Sequence, residues 1–250
     1  MNRKNEMVLC GFNCVKSLCE NKPEDVLRLY FTSELSREFG SICKFMASKK
    51  RFYKMVEDEA ELEKLAKSHH HQGVVAVINE PRFPLVSDEV VDEWVDRCED
   101  VVFTDNIGNA NNLGAIIRSM AFFGFENIVL PLNEVQSYIT AATYRVAEGG
   151  MSFVNVYLCH SEKEFLSKTR GRMNIITSDV RAHHEIKNMQ NFVKATDATL
   201  LILGNEVDGV SEYVKKQSNH LIKVRGNGNI ESLNVAQTAT LFLQKLREIK

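Results

Sequence analysis

An apolar run near the end of the chain, Ala198 to Leu203, stops abruptly at Gly204-Asn205-Glu206. β-Forming apolar residues at successive positions predict a strand buried on both faces, which is the environment of a parallel sheet covered by helices. Loops beyond the carboxyl ends of such strands are where α/β proteins bind ligands. A second loop of the same character follows, Gly226-Asn227-Gly228-Asn229-Ile230-Glu231-Ser232-Leu233-Asn234-Val235. Its alternating Gly and Asn allow positive φ and close backbone approach to a ligand. The amphipathic stretch from Val235 to Leu246 predicts a helix with Ser232 and Asn234 at its start. Side-chain oxygens there either cap the helix or face a ligand. Together the two loops predict a small-molecule site.

The region upstream alternates in the same manner. Strands are predicted near Asp100 to Thr104, Asn127 to Leu130, Val154 to Leu158, Asn174 to Thr177 and His220 to Val224. Helices are predicted at Gly114 to Phe123 and Ser161 to Lys168. Right-handed crossovers would set the strand-end loops along one edge. A smaller α/β region precedes this one, with helical stretches at Asn13 to Glu20 and Leu35 to Ser48, and strands at Val26 to Thr32 and Val74 to Ile78. Two prolines in Glu80-Pro81-Arg82-Phe83-Pro84 mark a boundary, and a helix is predicted from Asp88 to Cys98. The expected organisation is therefore a small domain at 1–80, a linker and boundary helix at 81–98, and a larger α/β domain at 99–250. A chain of 250 residues, 44% of them hydrophobic, can bury two such cores.

Charge and cysteine usage narrow the function classes. A net charge of -2 gives no global positive field, so any nucleic-acid contact must rest on a local cluster. Lys44, Lys49, Lys50, Arg51 and Lys54 are the candidates, and a solvated helix face is the alternative. Six cysteines at irregular spacing, with no CxxC pair, suit reduced core thiols of a cytoplasmic protein. Met-Asn-Arg-Lys-Asn-Glu at the start lacks an apolar signal region, and no run of about 18 apolar residues occurs, which argues against secretion and membrane spanning. His69-His70-His71 is not expected to bind metal, because adjacent loop side chains do not converge on one ion.

Among loops with chemistry to offer, Asn106-Ile107-Gly108-Asn109-Ala110-Asn111-Asn112-Leu113-Gly114 stands out. It follows a predicted strand and opens a helix, with Asn112 as expected N-cap, and a helix N-terminus suits phosphate or carboxylate. Arg118 lies further along. Glu206 could orient a ligand or cap the segment after Gly209. The Gly226 loop is not a dinucleotide fingerprint, since Glu231 stands at the final glycine position, and neither a nucleophile elbow nor a phosphate-binding loop occurs.

Three motifs in order, Asn112-Leu113-Gly114-Ala115-Ile116-Ile117-Arg118, Leu203-Gly204-Asn205-Glu206 and Ser232-Leu233-Asn234-Val235, resemble those of the SpoU (TrmH-type) RNA ribose 2′-O-methyltransferases of the SPOUT superfamily. Gly11-Phe12-Asn13-Cys14-Val15 and His71-Gln72-Gly73-Val74 resemble the opening and closing segments of the small substrate-binding domain found before many such catalytic domains. Arg145-Val146-Ala147-Glu148-Gly149-Gly150 and the Gly-Asn-Gly-Asn loop are most similar to YfiF-like tRNA/rRNA methyltransferases. The resemblance implies a deep trefoil knot in a parallel α/β domain, and S-adenosylmethionine held by loops containing Gly204, Val224 and Leu233. It also implies a homodimer with active sites near the subunit interface, and RNA as substrate. Asn112, Arg118, Glu206, Ser232 and Asn234 match positions associated with catalysis or substrate placement.

The reaction implied is methyl transfer to a ribose hydroxyl, in which positioning can supply up to about 7–11 kcal/mol and a general base about 10²–10⁴-fold. Guanidinium holds its proton far above neutral pH and is a poor base, so Arg118 is expected to hold a phosphate and polarise the hydroxyl. Glu206 and Asn112 would fix its geometry, while Ser232 and Asn234 would border the methyl group. Three positions depart from the family pattern: Ala110 for Pro, Val207 for Gly and Ala236 for Ser. The rival reading is a catalytically inactive RNA-binding protein that retains the fold.

Overall fold

The computed structural model describes residues 5–205 and 208–250. It divides the chain into two compact units, Met1–Arg82 with Ile139–Phe153, and Phe83–Tyr138 with Val154–Lys250. The segment 139–153, expected from the sequence within the larger domain, belongs to the first unit.

The first unit carries a four-stranded sheet in the order β1-β4-β2-β3, made of Glu6–Cys10 (β1), Val26–Thr32 (β2), Phe52–Val56 (β3) and Val74–Asn79 (β4). β4 runs antiparallel to β1 and β2, and β2 is parallel to β3. Helices Phe12–Asn21 (α1) and Gly40–Ser48 (α2) contribute Val15, Leu18, Ile42 and Met46 to a core with Leu9, Leu29 and Phe31. Glu59–Ala66 (α3) buries Leu62 with Val56 and Val75 in a second cluster. The segments chosen as opening and closing the small domain do meet: the Gly11 N–H donates to the His71 carbonyl at 3.3 Å, and the Phe12 N–H to Gln72 Oε1 at 2.7 Å. His69 and His71 have separate partners. His69 contacts Glu63 at 2.9 Å, whereas buried His71 accepts from the Gly73 N–H at 3.1 Å.

Ala141–Ala147 (α6) begins in a capping box between Thr140 and Thr143 and packs Tyr144 against the first unit's core. The Arg145 to Gly150 motif is its exit. Glu148 accepts from Asn13 Nδ2 at 2.9 Å, and the Gly149 carbonyl accepts from Ser17 Oγ at 3.0 Å.

The second unit holds a parallel sheet of seven described strands in the order β7-β6-β5-β10-β8-β11-β9. The strands are Val101–Asp105 (β5), Asn127–Pro131 (β6), Asn155–Cys159 (β7), Asn174–Ser178 (β8), His184–Glu185 (β9), Thr199–Gly204 (β10) and His220–Lys223 (β11). Every residue of β5 and β6 is buried, as the apolar runs require. Asp88–Asp96 (α4), Glu162–Thr169 (α7) and Glu212–Gln217 (α8) supply Trp94, Phe165 and Val214 to a core with Phe103, Ile175 and Ile202. Ala110–Phe123 (α5) and Val235–Ile249 (α9) pack against each other, burying Ile116, Met120, Phe242 and Leu243.

Two of the proposed phosphate-binding cations are committed elsewhere. Arg51 donates through Nη1 to the carbonyls of Pro23, Glu24 and Val26 at 3.2, 2.7 and 2.8 Å, tying the end of α2 to the start of β2. Lys54 is bonded to both carboxylate oxygens of Glu61, at 2.9 and 2.8 Å. Truncation of Arg51 to Ala removes three charge-assisted bonds, and urea denaturation is expected to show a loss of about 2 kcal/mol.

Candidate active site

At the carboxyl ends of β8, β10 and β11 the second unit contains a cavity of about 380 Å³. Gly204, Val224, Ser232 and Leu233 all line it, so the two glycine-containing loops singled out in the sequence converge on one space. Leu203, Val210, Ile230 and Val235 add apolar wall, Asp179, Asp208 and Glu231 add negative charge, and Arg181, Lys215, Lys223 and Arg225 add positive charge. Lys215 holds Asp179 at 3.1 Å.

The demand for glycine at 204 is steric. A Cβ there would lie 2.4 Å from the Gly209 carbonyl carbon and 2.5 Å from the Val210 nitrogen. Asn205 and Gly209 exchange both backbone hydrogen bonds at 3.0 Å, which folds the loop back over the strand end. Glu206 and Val207 lie outside the described residues. In the second loop only Gly228, at φ 90°, uses the left-handed region; Asn227, Asn229 and Gly226 do not. The freedom expected of the whole Gly-Asn run is thus needed at one position.

Asn109, not Asn112, caps α5, accepting from the Asn111 N–H at 2.8 Å, and the helix starts at Ala110. Four asparagines in one loop are equivalent by type; the extended backbone of Asn109 decides between them. Ala110 is then the first helical residue, a position where Pro is equally acceptable, which accounts for that departure from the family pattern. Asn112 falls within the first turn, and its Oδ1 accepts from Asn234 Nδ2 at 3.0 Å. Asn234 also caps α9 through its Oδ1, which accepts from the Ala236 N–H at 2.9 Å. Of the two alternatives for Asn234, cap or ligand-facing residue, the structure shows the cap. The helix after Gly209, α8, is capped by Ser211, whose side chain accepts from the Val214 N–H.

Arg118 stands apart from this cluster. Its side chain is exposed, without a hydrogen-bond or ion-pair partner among the described residues, and it does not line the cavity. The helix face turned to α9 is marked by Asn112 and by Ser119, whose Oγ lies 2.8 Å from Thr240 Oγ1. Arg118, about 100° around the helix from Ser119, points away from it.

Sequence reasoning missed the residues that hold these loops together. Asp105, at the end of β5, is 1% exposed and accepts from the Ser211 N–H at 2.8 Å and Asn106 Nδ2 at 2.9 Å. Burial pushes its carboxyl above the ordinary range, and the Ser211 N–H partly offsets this. Asn106, at φ 65°, accepts at Oδ1 from Asn133 Nδ2 at 2.7 Å and at its carbonyl from Asn205 Nδ2 at 2.7 Å. Buried Gln136 accepts from Thr104 Oγ1 at 3.1 Å and the Ile107 N–H at 3.0 Å. No motif spacing marks Gln136 or Asn133; the abundance of asparagine around position 106 was the one available signal.

Residues 100–244 match the SpoU rRNA Methylase family. The chain belongs to this family. Residues 8–84 match the family described as RNA 2′-O ribose methyltransferase substrate binding. An uncharacterized tRNA/rRNA methyltransferase of Haemophilus influenzae is 36% identical over 157 residues, which are 62% of this SpoU chain and 43% of that relative. The chain thus matches less than half the length of that protein. The uncharacterized tRNA/rRNA methyltransferase YfiF of Escherichia coli O157:H7 is 27% identical over 243 residues, 96% of this chain and 68% of its own. Among solved structures, the AdoMet-bound rRNA methyltransferase of Sinorhizobium meliloti superposes with a TM-score of 0.77 at 16% identity, covering 99% of this chain and 88% of that one. That likeness shows a shared fold, α/β with a mostly parallel sheet. Among the described residues, no helix is long and apolar enough to cross a membrane, and no cluster of His, Cys, Asp or Glu could hold a metal.

The raised carboxyl pKa of Asp105 has a pH consequence. Folding disfavours its ionised form, so its contribution to stability is greatest below the unfolded-state value of about 4 and is lost as pH rises through the folded value. Urea denaturation of wild type and Asp105→Asn across pH is expected to show wild type losing stability relative to the variant as pH rises through that window.

Proposed function

We propose that this chain transfers a methyl group from S-adenosylmethionine to a ribose 2′-hydroxyl of tRNA or rRNA. The observation that carries the reading is the convergence of Gly204, Val224, Ser232 and Leu233 on one cavity whose rim is tied to the Asn112 loop through Asn234. The cavity lies within the range of small-molecule sites, about 300–1,000 Å³. Its mixture of apolar side chains, loop backbone and paired charge fits a purine nucleoside bearing an amino-acid tail. Gly204, Val224 and Leu233 would hold the cofactor largely through backbone groups, with Leu203 and Val235 against the base. When bound, S-adenosylmethionine supplies an electrophilic methyl group on its sulfonium.

The chain's own residues then have separate tasks. Ser232 and Asn234 would border the methyl group, and Asn112, bonded to Asn234, would place the RNA-side loop. Glu206 would act as an orienting carboxylate for Arg118. Arg118 would grip the phosphate next to the target ribose and polarise the hydroxyl. Residues 1–82 with 139–153 serve as the RNA substrate-binding domain, and residues 83–138 with 154–250, which include the boundary helix α4, as the SPOUT methyltransferase domain. β8, flanked in the sheet by the later strands β10 and β11, supports a trefoil knot.

The working form is a homodimer. Phe122 is 81% exposed, and Arg118, four residues earlier, lies on the same side of α5. A dimer built on this face brings Arg118 to the subunit interface, which gives a use to an arginine that lies outside its own chain's cavity. Cytoplasmic action is supported by six cysteines that all remain free thiols, with burial pushing those of Cys14, Cys19 and Cys159 up to about 12.

The deciding experiment supplies methyl-labelled S-adenosylmethionine and unmodified total RNA to the purified protein, then identifies labelled nucleosides by mass spectrometry. A labelled 2′-O-methylnucleoside is expected; a bound cofactor with label only on a base would overturn the ribose assignment. Arg118→Lys is expected to lower transfer by about 100-fold and weaken RNA binding, because the bidentate grip is lost. Its cofactor affinity by calorimetry should match wild type. Phe122→Glu is expected to sediment as a monomer where wild type sediments as a dimer.

A further inference from the structure

Three loops, following β5, β6 and β10, are fastened to one another by a polar node that the proposed chemistry does not use. Gln136, 2% exposed, sits on one side of it. Its Oε1 takes both the Thr104 hydroxyl and the Ile107 N–H, its Nε2 donates to the Ser137 carbonyl at 3.1 Å, and the Ser137 N–H returns a bond to the Ile107 carbonyl at 2.7 Å. Asn106 sits on the other side, bonded to Asn133, Asp105 and Asn205. The Asn112 loop is thereby held between segment 133–137 and the Gly204-Asn205 wall of the cavity.

Such a node is a costly way to obtain stability alone. Buried amides must recover the hydrogen bonds they had with water, and an apolar plug would avoid that cost. Directional bonds instead select one arrangement of the backbone. Asn106 also adopts a left-handed conformation that asparagine tolerates better than most residues.

We infer that Gln136 and Asn106 are positioning residues for methyl transfer, holding the Asn112 loop in register with the cavity wall at Gly204 and Asn205. This rests on the methyl-transfer reading above. Neither residue lines the cavity, so their loss leaves cofactor binding intact and falls on the geometry of the reacting groups.

Two variants test this in the full chain. Asn106→Gly keeps a residue at home at φ 65° while deleting both side-chain bonds. Gln136→Glu keeps the acceptor oxygen, but its ionised form cannot donate to the Ser137 carbonyl. Both are expected to lower kcat for methyl transfer by about 10- to 100-fold, with the KM for RNA and the calorimetric Kd for S-adenosylmethionine within about twofold of wild type. The Gln136→Glu defect should shrink as pH falls, since the protonated carboxyl donates again, and amide exchange at 107–112 should quicken in both. Unchanged kcat in Asn106→Gly, or a loss confined to KM or Kd, overturns the inference. If Gln136→Glu fails to fold, Asn106→Gly decides alone. A wild-type protein that transfers no methyl group to RNA defeats the underlying reading instead; even then, unchanged amide exchange at 107–112 in Asn106→Gly overturns the positioning role.

Discussion

β10 sits at the middle of the seven-stranded sheet, parallel to β5 on one side and β8 on the other, with Leu200 opposite both Val101 and Ile175. Its burial on both faces fixes where the strand ends, and therefore where its loop begins. At that point the chain doubles back so tightly that no side chain fits on Gly204. The cavity wall, the pairing of Asn205 with Gly209 and the bond from Asn205 to Asn106 all follow from this close return. A displacement of β10 would move each of them together.

The polar groups around the cavity form two tiers. Lys215 and Asp179, with Asp208 and Glu231, face the space in which a ligand would lie. Asp105, Asn106, Asn133 and Gln136 are bonded to backbone or to one another behind it. Only the first tier can exchange bonds with a ligand without breaking the loop framework. The second tier carries the burial cost, visible in the raised carboxyl pKa of Asp105, and in return limits the conformations of three neighbouring loops.

Cations in this chain are divided between structure and exposure. Arg51 and Lys54 satisfy carbonyls and a carboxylate of the first unit, whereas Arg118 has no such partner among the described residues. At a net charge of -2, affinity for a polyanion has to come from particular residues rather than from an overall field. An unpaired guanidinium is better placed to meet a phosphate than one already holding three carbonyls.

The buried parallel strands, the amphipathic α9 and the glycine-containing loops were legible because apolar periodicity and steric demand are local properties of sequence. The same reasoning missed β1, β3, α3 and α6. β3 exposes Phe52, Tyr53, Lys54 and Met55 and so has no alternating pattern, while α3 is mostly charged and fully buries only Leu62. α6 joins the first unit from far along the chain, a placement that no local pattern records. The sequence by itself determined the strand ends, the family motifs and the residue types available for chemistry. Tertiary structure decided that Asn109 caps α5 while Asn112 meets Asn234, and that Gln136 and Asn106 join three loops. A side-chain amide has the same hydrogen-bonding capacity wherever it stands, so only the partners brought near it by folding assign its task.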